Sequence, residues 1–183
     1  MHGHLPHRLL ALFATVALLG GCQAQKSDTG EQSAAAAASA AVEANKAACQ
    51  RFFDQALAAG DTTAVDALVA ADAIEHQPMP PGYPSGTTAA LKQFIVAWHA
   101  GFPDIKVTVE RMVGEGDQVA IYSTMTGTNT GAFMGMKPTG KAVKVEAFDL
   151  VRIENGRMVE HWGLNDTYAM MVQMGMIKEP GSK

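Results

Sequence analysis

The apolar positions along this chain change their period twice. Residues 9–19 form an apolar run broken only by Thr15, within the roughly 7–15 residues of a signal-peptide core and short of the about 20 that span a bilayer. Residues 23–41 are polar at first and then alanines broken by serine, with no aromatic or branched apolar side chain. Nothing there offsets the entropy of ordering, so a flexible tether is expected. The alternative is a helical extension of the first folded helix, because alanine has the highest helix propensity. Apolar residues then recur at helical spacing through Val42, Cys49, Phe52, Phe53, Ala56 and Leu57, and Gly60 ends the helix. Asp61 is an N-cap candidate for a short helix holding Val65, Leu68 and Val69, and Thr87 or Thr88 caps a third through Leu91, Phe94, Ile95 and Trp98. Between them, Pro78, Pro80, Pro81 and Pro84 impose a stiff extended loop.

Past Pro103 the period becomes two. Ile105, Val107 and Val109 alternate with Lys106, Thr108 and Glu110, and further strands are expected over residues 118–128, 142–153 and 158–166. Asn155-Gly156 marks a two-residue hairpin. A short helix over residues 168–174 closes the domain. Three helices followed by an antiparallel meander predict an α+β fold with the helices on one face of the sheet.

The hairpin also predicts which side chains face each other. Pairing Glu154 with Arg157 places Ile153 opposite Met158, Val151 opposite Glu160, Asp149 opposite Trp162, Ala147 opposite Leu164 and Val145 opposite Asp166. These share the more apolar face, which should lie against the helices, and they include three acids: Asp149, Glu160 and Asp166. Carboxylates on an apolar face are costly unless paired or protonated, and desolvation raises a carboxyl pKa toward the range useful for acid–base catalysis. A pocket is therefore expected there. Structural roles compete with that reading, since Asp149 and Glu160 can bond to backbone or arginine and Asp166 can cap the last helix. A one-residue slip would also turn the acids outward. His161 falls on the opposite face, as a surface or interface residue. His76 and His161 with acids fit no metal-ligand spacing, and no metal is expected.

The net charge of −4 over 183 residues, with scattered basic residues, argues against nucleic acid as a partner. Of the two cysteines, Cys49 suits the buried face of the first helix. Cys22 follows Leu18-Leu19-Gly20-Gly21, and this ending resembles the lipobox of bacterial lipoproteins. The resemblance implies export, cleavage before Cys22 and a lipid anchor on it. With Gln23 rather than aspartate next, it implies the periplasmic face of the outer membrane. The expected organisation is a signal peptide over residues 1–21, a tether over 22–41, one domain over 42–178 and a tail over 179–183.

An ordered set of motifs runs through that domain: His76-x-Pro78, Phe102-Pro103-Asp104, Gly116-Asp117-x-Val119, Gly127-Thr128, Gly131-x-Phe133-x-Gly135, Pro138-Thr139-Gly140-Lys141, Asn155-Gly156-Arg157-x-Val159-Glu160-x-Trp162, Asp166 and Gln173-Met174-Gly175. Together they resemble the SnoaL-like ester (polyketide) cyclase family. The resemblance implies a cone-shaped barrel of the nuclear transport factor 2 type. It implies Asp166 as general acid/base and His76 as a donor to a substrate carbonyl or enolate oxygen. Trp162, Asp149, Glu160 and Leu164 would line the pocket. Such chemistry uses no cofactor. Three readings stay open: a cofactor-free cyclase or isomerase acting on a small apolar carbonyl compound, a module that binds such a molecule without turnover, and a scaffold that dimerises through the outer sheet face.

Overall fold

The computed structural model describes residues 24–77, 82, 87–179 and 181. The signal segment, Cys22 and the four loop prolines lie outside the described residues. The chain divides into two compact units after Ala36. The described part of the first is helical from Ala24. Helix α1 runs Ala24–Phe52, so residues 24–41 are helical, as in the second of the two readings of that segment. The alanines on either side of Ser39 carry no side-chain entropy penalty in a helix, which favours continuing one already nucleated.

In the second unit, α1 passes into a π-helical turn, Phe53–Ala58. It is followed by α2 (Thr63–Leu68), β1 (Val69–Glu75), α3 (Thr87–Gly101), β2 (Lys106–Glu115), β3 (Gln118–Thr128), β4 (Ala142–Glu154), β5 (Arg157–Asn165) and α4 (Thr167–Gln173). The sheet order is β1-β5-β4-β3-β2. Helices packed on this curved five-stranded sheet make the expected α+β class. The sheet is not wholly antiparallel, because β1 joins its edge parallel to β5. Val69, expected in a helix, instead begins that strand. Its sequence Val-Ala-Ala-Asp-Ala-Ile-Glu carries little strand propensity of its own. A partner more than eighty residues away supplies the ladder, as in the His161–Glu75 contact across 86 residues.

The β4–β5 hairpin forms at the expected turn, with Asn155 at φ 51° and Gly156 at φ 74°, as a type I′ turn requires. Glu154 pairs with Arg157 and Ile153 with Met158. The ladder then slips by one residue: Arg152 pairs with Glu160, Val151 with His161, Leu150 with Trp162, Asp149 with Gly163, Phe148 with Leu164 and Ala147 with Asn165. Val159 is the extra residue of this β-bulge. Because strand side chains alternate faces, one inserted residue reverses all of β5 beyond it.

The buried core forms two clusters. One gathers Cys49, Phe52, Phe53, Val65, Ile95, Val119, Ile121 and Val151 from α1, α2, α3 and the sheet. The other gathers Trp98, Phe102, Phe133, Val145, Met170 and Met174. Each fully buried side chain of this size contributes about 1.5–3 kcal/mol.

Candidate active site

A cavity of about 730 Å³ is lined by members of both clusters, a size suited to a drug-sized organic molecule. Its walls are mostly apolar. Phe52, Phe53 and Leu57 come from α1 and the π-helical turn, Leu91, Phe94 and Trp98 from α3, and Met125, Val145 and Val151 from the sheet. The widened π turn lets the consecutive residues Phe52 and Phe53 both reach the core, where they are 4% and 5% exposed; such turns recur at functional sites.

The polar side of the cavity is a row across the concave face. His161 lies opposite Glu75 in the parallel β1–β5 ladder and diagonal to Asp149, whose direct partner is Gly163. The imidazole bridges the two carboxylates, with Nδ1 2.8 Å from Glu75 Oε2 and Nε2 3.0 Å from Asp149 Oδ1. Glu75 Oε1 also accepts the Gln77 backbone N–H at 2.7 Å. The side chains of Asp149, Glu75 and His161 are 16%, 18% and 20% exposed. Burial by itself pulls the imidazolium pKa down. The hydrogen bonds to Asp149 and Glu75, with their negative charges, more than reverse this and hold it at about 9. At neutral pH His161 is therefore a cation donating both ring protons, and Asp149 Oδ2 has no hydrogen-bond partner among the described residues. Among those residues no group of three or more His, Cys, Asp or Glu is arranged to hold a metal ion.

Gly163 makes this diagonal contact possible. A Cβ there would lie 2.5 Å from Gln77 Oε1, 2.8 Å from His161 Cε1 and 3.2 Å from Asp149 Oδ1. The same cluster reaches the core: burial first, then the Asp149 charge, pushes the Cys49 thiol up to about 12.

The expected site residues divide. Asp149 lies on the cavity face as expected. Past the bulge, Glu160, Trp162 and Leu164 turn to the opposite face, where Leu164 is 78% exposed, and His161 takes the inward position assigned to them. Glu160 still borders the cavity, but its carboxylate is taken up by His76 Nε2 at 2.9 Å and Arg152 Nε at 2.8 Å. Those two hydrogen bonds hold it below the usual glutamate range. His76 also stacks on Trp162, with centroids 4.5 Å apart, so Trp162 is an outer-face platform rather than a pocket wall. Asp166 is exposed and its Oδ1 accepts the Ala169 backbone N–H at 2.9 Å, capping α4; it is not among the lining residues, whereas its neighbours Asn165 and Thr167 are. The sequence reading missed Glu75 and His161 as a pair. A signal existed in the doublets Glu75-His76 and Glu160-His161. Side by side where β1 ends against β5, they form two Glu–His pairs, Glu75–His161 and His76–Glu160, and all four residues line the cavity.

The outer face carries an apolar row across four strands, Val113–Ala120–Leu150–Trp162, each residue paired with the next. Beside it Tyr122 stacks on Phe148 with centroids 4.7 Å apart, and Phe148 pairs with Leu164.

Comparison with known proteins agrees with this architecture. Residues 47–174 match the family model described as SnoaL-like polyketide cyclase. No curated protein matches the chain. Among solved structures, IdmH of Streptomyces antibioticus, a polyketide cyclase by provisional assignment, is 31% identical over 72% of this chain and 98% of its own, with a TM-score of 0.62. A provisionally assigned polyketide cyclase of Bacillus cereus ATCC 10987 is 26% identical over 71% of this chain and 79% of its own, with a TM-score of 0.62. AclR of Streptomyces galilaeus, provisionally assigned as a hydroxylase, shares the fold at 24% identity and a TM-score of 0.66, covering 75% of this chain and 85% of its own.

Proposed function

Because the chain belongs to the SnoaL-like polyketide cyclase family, we propose that its cavity performs acid–base chemistry on a small apolar carbonyl compound, of the cyclase or isomerase type, using its own side chains. The observation that carries this reading is the Glu75–His161–Asp149 row set into an apolar cavity. A carboxylate oxygen of Asp149 faces that cavity without a partner, and it is the base that removes a proton from carbon beside a carbonyl. His161, held between two carboxylates, orients Asp149 and supplies positive charge beside it. Glu75 fixes the ring from behind. The apolar walls exclude water, which strengthens each of these interactions. The fold alone does not decide the chemistry; the row is what supports this reading.

The test follows α-proton exchange of carbonyl probes such as 2-tetralone in D2O by NMR. The full chain should accelerate exchange and Asp149→Asn should abolish it while keeping the fold. An Asp149→Asn protein with undiminished exchange would sink the assignment and leave non-catalytic binding as the reading.

Dimerisation through the outer face is a second reading, supported by the apolar row and by exposed Phe148 and Leu164 at 59% and 78%. Such a contiguous patch marks an interaction surface, and light scattering that found only monomer at high concentration would remove it. Export and lipidation of Cys22 rest on the Leu18–Cys22 pattern, and the outer-membrane location on Gln23 after it. Metabolic labelling with a fatty-acid probe should mark the wild-type chain and not Cys22→Ala.

A further inference from the structure

One cross-strand row from Asp149, on the cavity side of the sheet, Ser123, Ala147 and Asn165 lie side by side on β3, β4 and β5. All three line the cavity. Ser123 is 2% exposed and Ala147 3%. Among the described residues neither the Ser123 hydroxyl nor the Asn165 side-chain amide has a hydrogen-bond partner. Polar groups on a cavity wall that is otherwise apolar, with no protein partner, are the groups a ligand satisfies. The methyl of Ala147 between them leaves room above the row.

We propose that Ser123 and Asn165 are the hydrogen-bond donors that hold the substrate's carbonyl oxygen and stabilise the negative charge it gains. This deepens the acid–base reading and rests on it for the identity of the base. Rows on one face of a strand are separated by two residues, about 7 Å. An α-carbon about 3–3.5 Å from Asp149 Oδ2, with its carbonyl oxygen about 2.7–3.1 Å from the donors, spans that gap. In the step, the C–H bond breaks and its proton forms an O–H bond with Asp149. The electron pair left on carbon becomes the C=C bond, and the carbonyl π pair moves onto oxygen, giving an enolate. Asn165 Nδ2–H and Ser123 Oγ–H donate to that oxygen. Asp149 then returns a proton to carbon, or to oxygen for the enol.

The row also explains why the base and the donors come from different strands. Asp149 sits on β4 with no side chain opposite it at Gly163, while the donors flank β4 one row away. The substrate carbonyl therefore lies along the strand direction, across Ala147 rather than across Gly163. Replacing Ala147 by a larger residue should displace the carbonyl while leaving the Asp149–His161 contact in place.

The experiment uses the full chain with 13C-carbonyl-labelled 2-tetralone. It reads two quantities: the infrared C=O stretch of the bound probe and its α-proton exchange rate. In wild type the stretch should lie below its value in Ser123→Ala and Asn165→Ala. Each variant should lose about a hundredfold in exchange rate, the scale for removing one donor to a developing oxyanion. Asn165→Leu, of similar size, serves where Asn165→Ala loses its fold. Asp149→Asn should abolish exchange and leave the lowered stretch unchanged. An unchanged stretch and rate in both donor variants would overturn the proposal even with Asp149 confirmed as base. Full exchange in Asp149→Asn would instead overturn the acid–base reading, with the stretch still deciding the donors.

Discussion

His161 offers the most direct physical test of the row, through its titration with and without Glu75. In the folded chain its pKa is lifted from 6.5 to about 9, which corresponds to roughly 3 kcal/mol of differential interaction between its two protonation states. Because the folded value is raised above the unfolded one, this stabilisation is present in full below pH 6.5 and is lost as pH rises through about 9. Glu75→Gln removes one carboxylate and its charge but keeps an amide oxygen that can accept from Nδ1. Burial, which disfavours the imidazolium, is then opposed by Asp149 with less help. The pKa should fall, and the loss of stability should move to lower pH. Two measurements check this: 15N-edited NMR of the His161 ring from pH 5 to 10, and urea unfolding between pH 6 and 9.5. A wild-type His161 that titrates at or below 6.5, or unfolding free energies that coincide for wild type and Glu75→Gln at every pH, would refute the reasoning.

The other predictions address the parts that support the row. Gly163→Ala should push Asp149 and His161 apart, at about 1–3 kcal/mol for a side chain inserted into a filled site, and thermal melts with the His161 titration should show both losses together. Asp166→Ala should lower stability by about 1 kcal/mol as a lost N-cap, whereas Asp166→Asn keeps a capping oxygen and should keep both stability and α-proton exchange; loss of exchange in Asp166→Asn would restore it as the base. Cys49, with its thiol at about 12, should react with Ellman's reagent at neutral pH only as fast as the chain unfolds. Ile121→Ala, at a buried position beside Asp149, should cost about 2–5 kcal/mol, read by urea unfolding.

Much of the secondary structure was legible because its causes are local. The 3.6 and 2.0 periods placed α3, β3 and β4 within a residue or two. Asn155-Gly156 named its own turn, and Asp166 was recognisable as a cap. The inward placement of Asp149 was also legible, since β4 keeps unbroken alternation from the turn to Ala142. Errors began where a residue's position depended on a distant partner. β1 has only Val69 and Ile74 as β-branched residues among alanines that favour helix, and it becomes a strand because β5 offers it an edge. The bulge at Val159 leaves no mark in the hydrophobic pattern, since Met158, Val159, Glu160, His161 and Trp162 read equally well in either register.

From the sequence alone followed an α+β domain, a hairpin at residues 155–156 and an acid on the concave face. The tertiary structure decided which residues accompany that acid. One extra residue in β5 exchanged Trp162 and Leu164 for His161 and Asn165 on the cavity side, and the parallel docking of β1 brought Glu75 against His161. Alternation makes a strand's faces depend on the parity of its register, and parity is settled by the packing of the whole sheet against its helices rather than by any local run of residues.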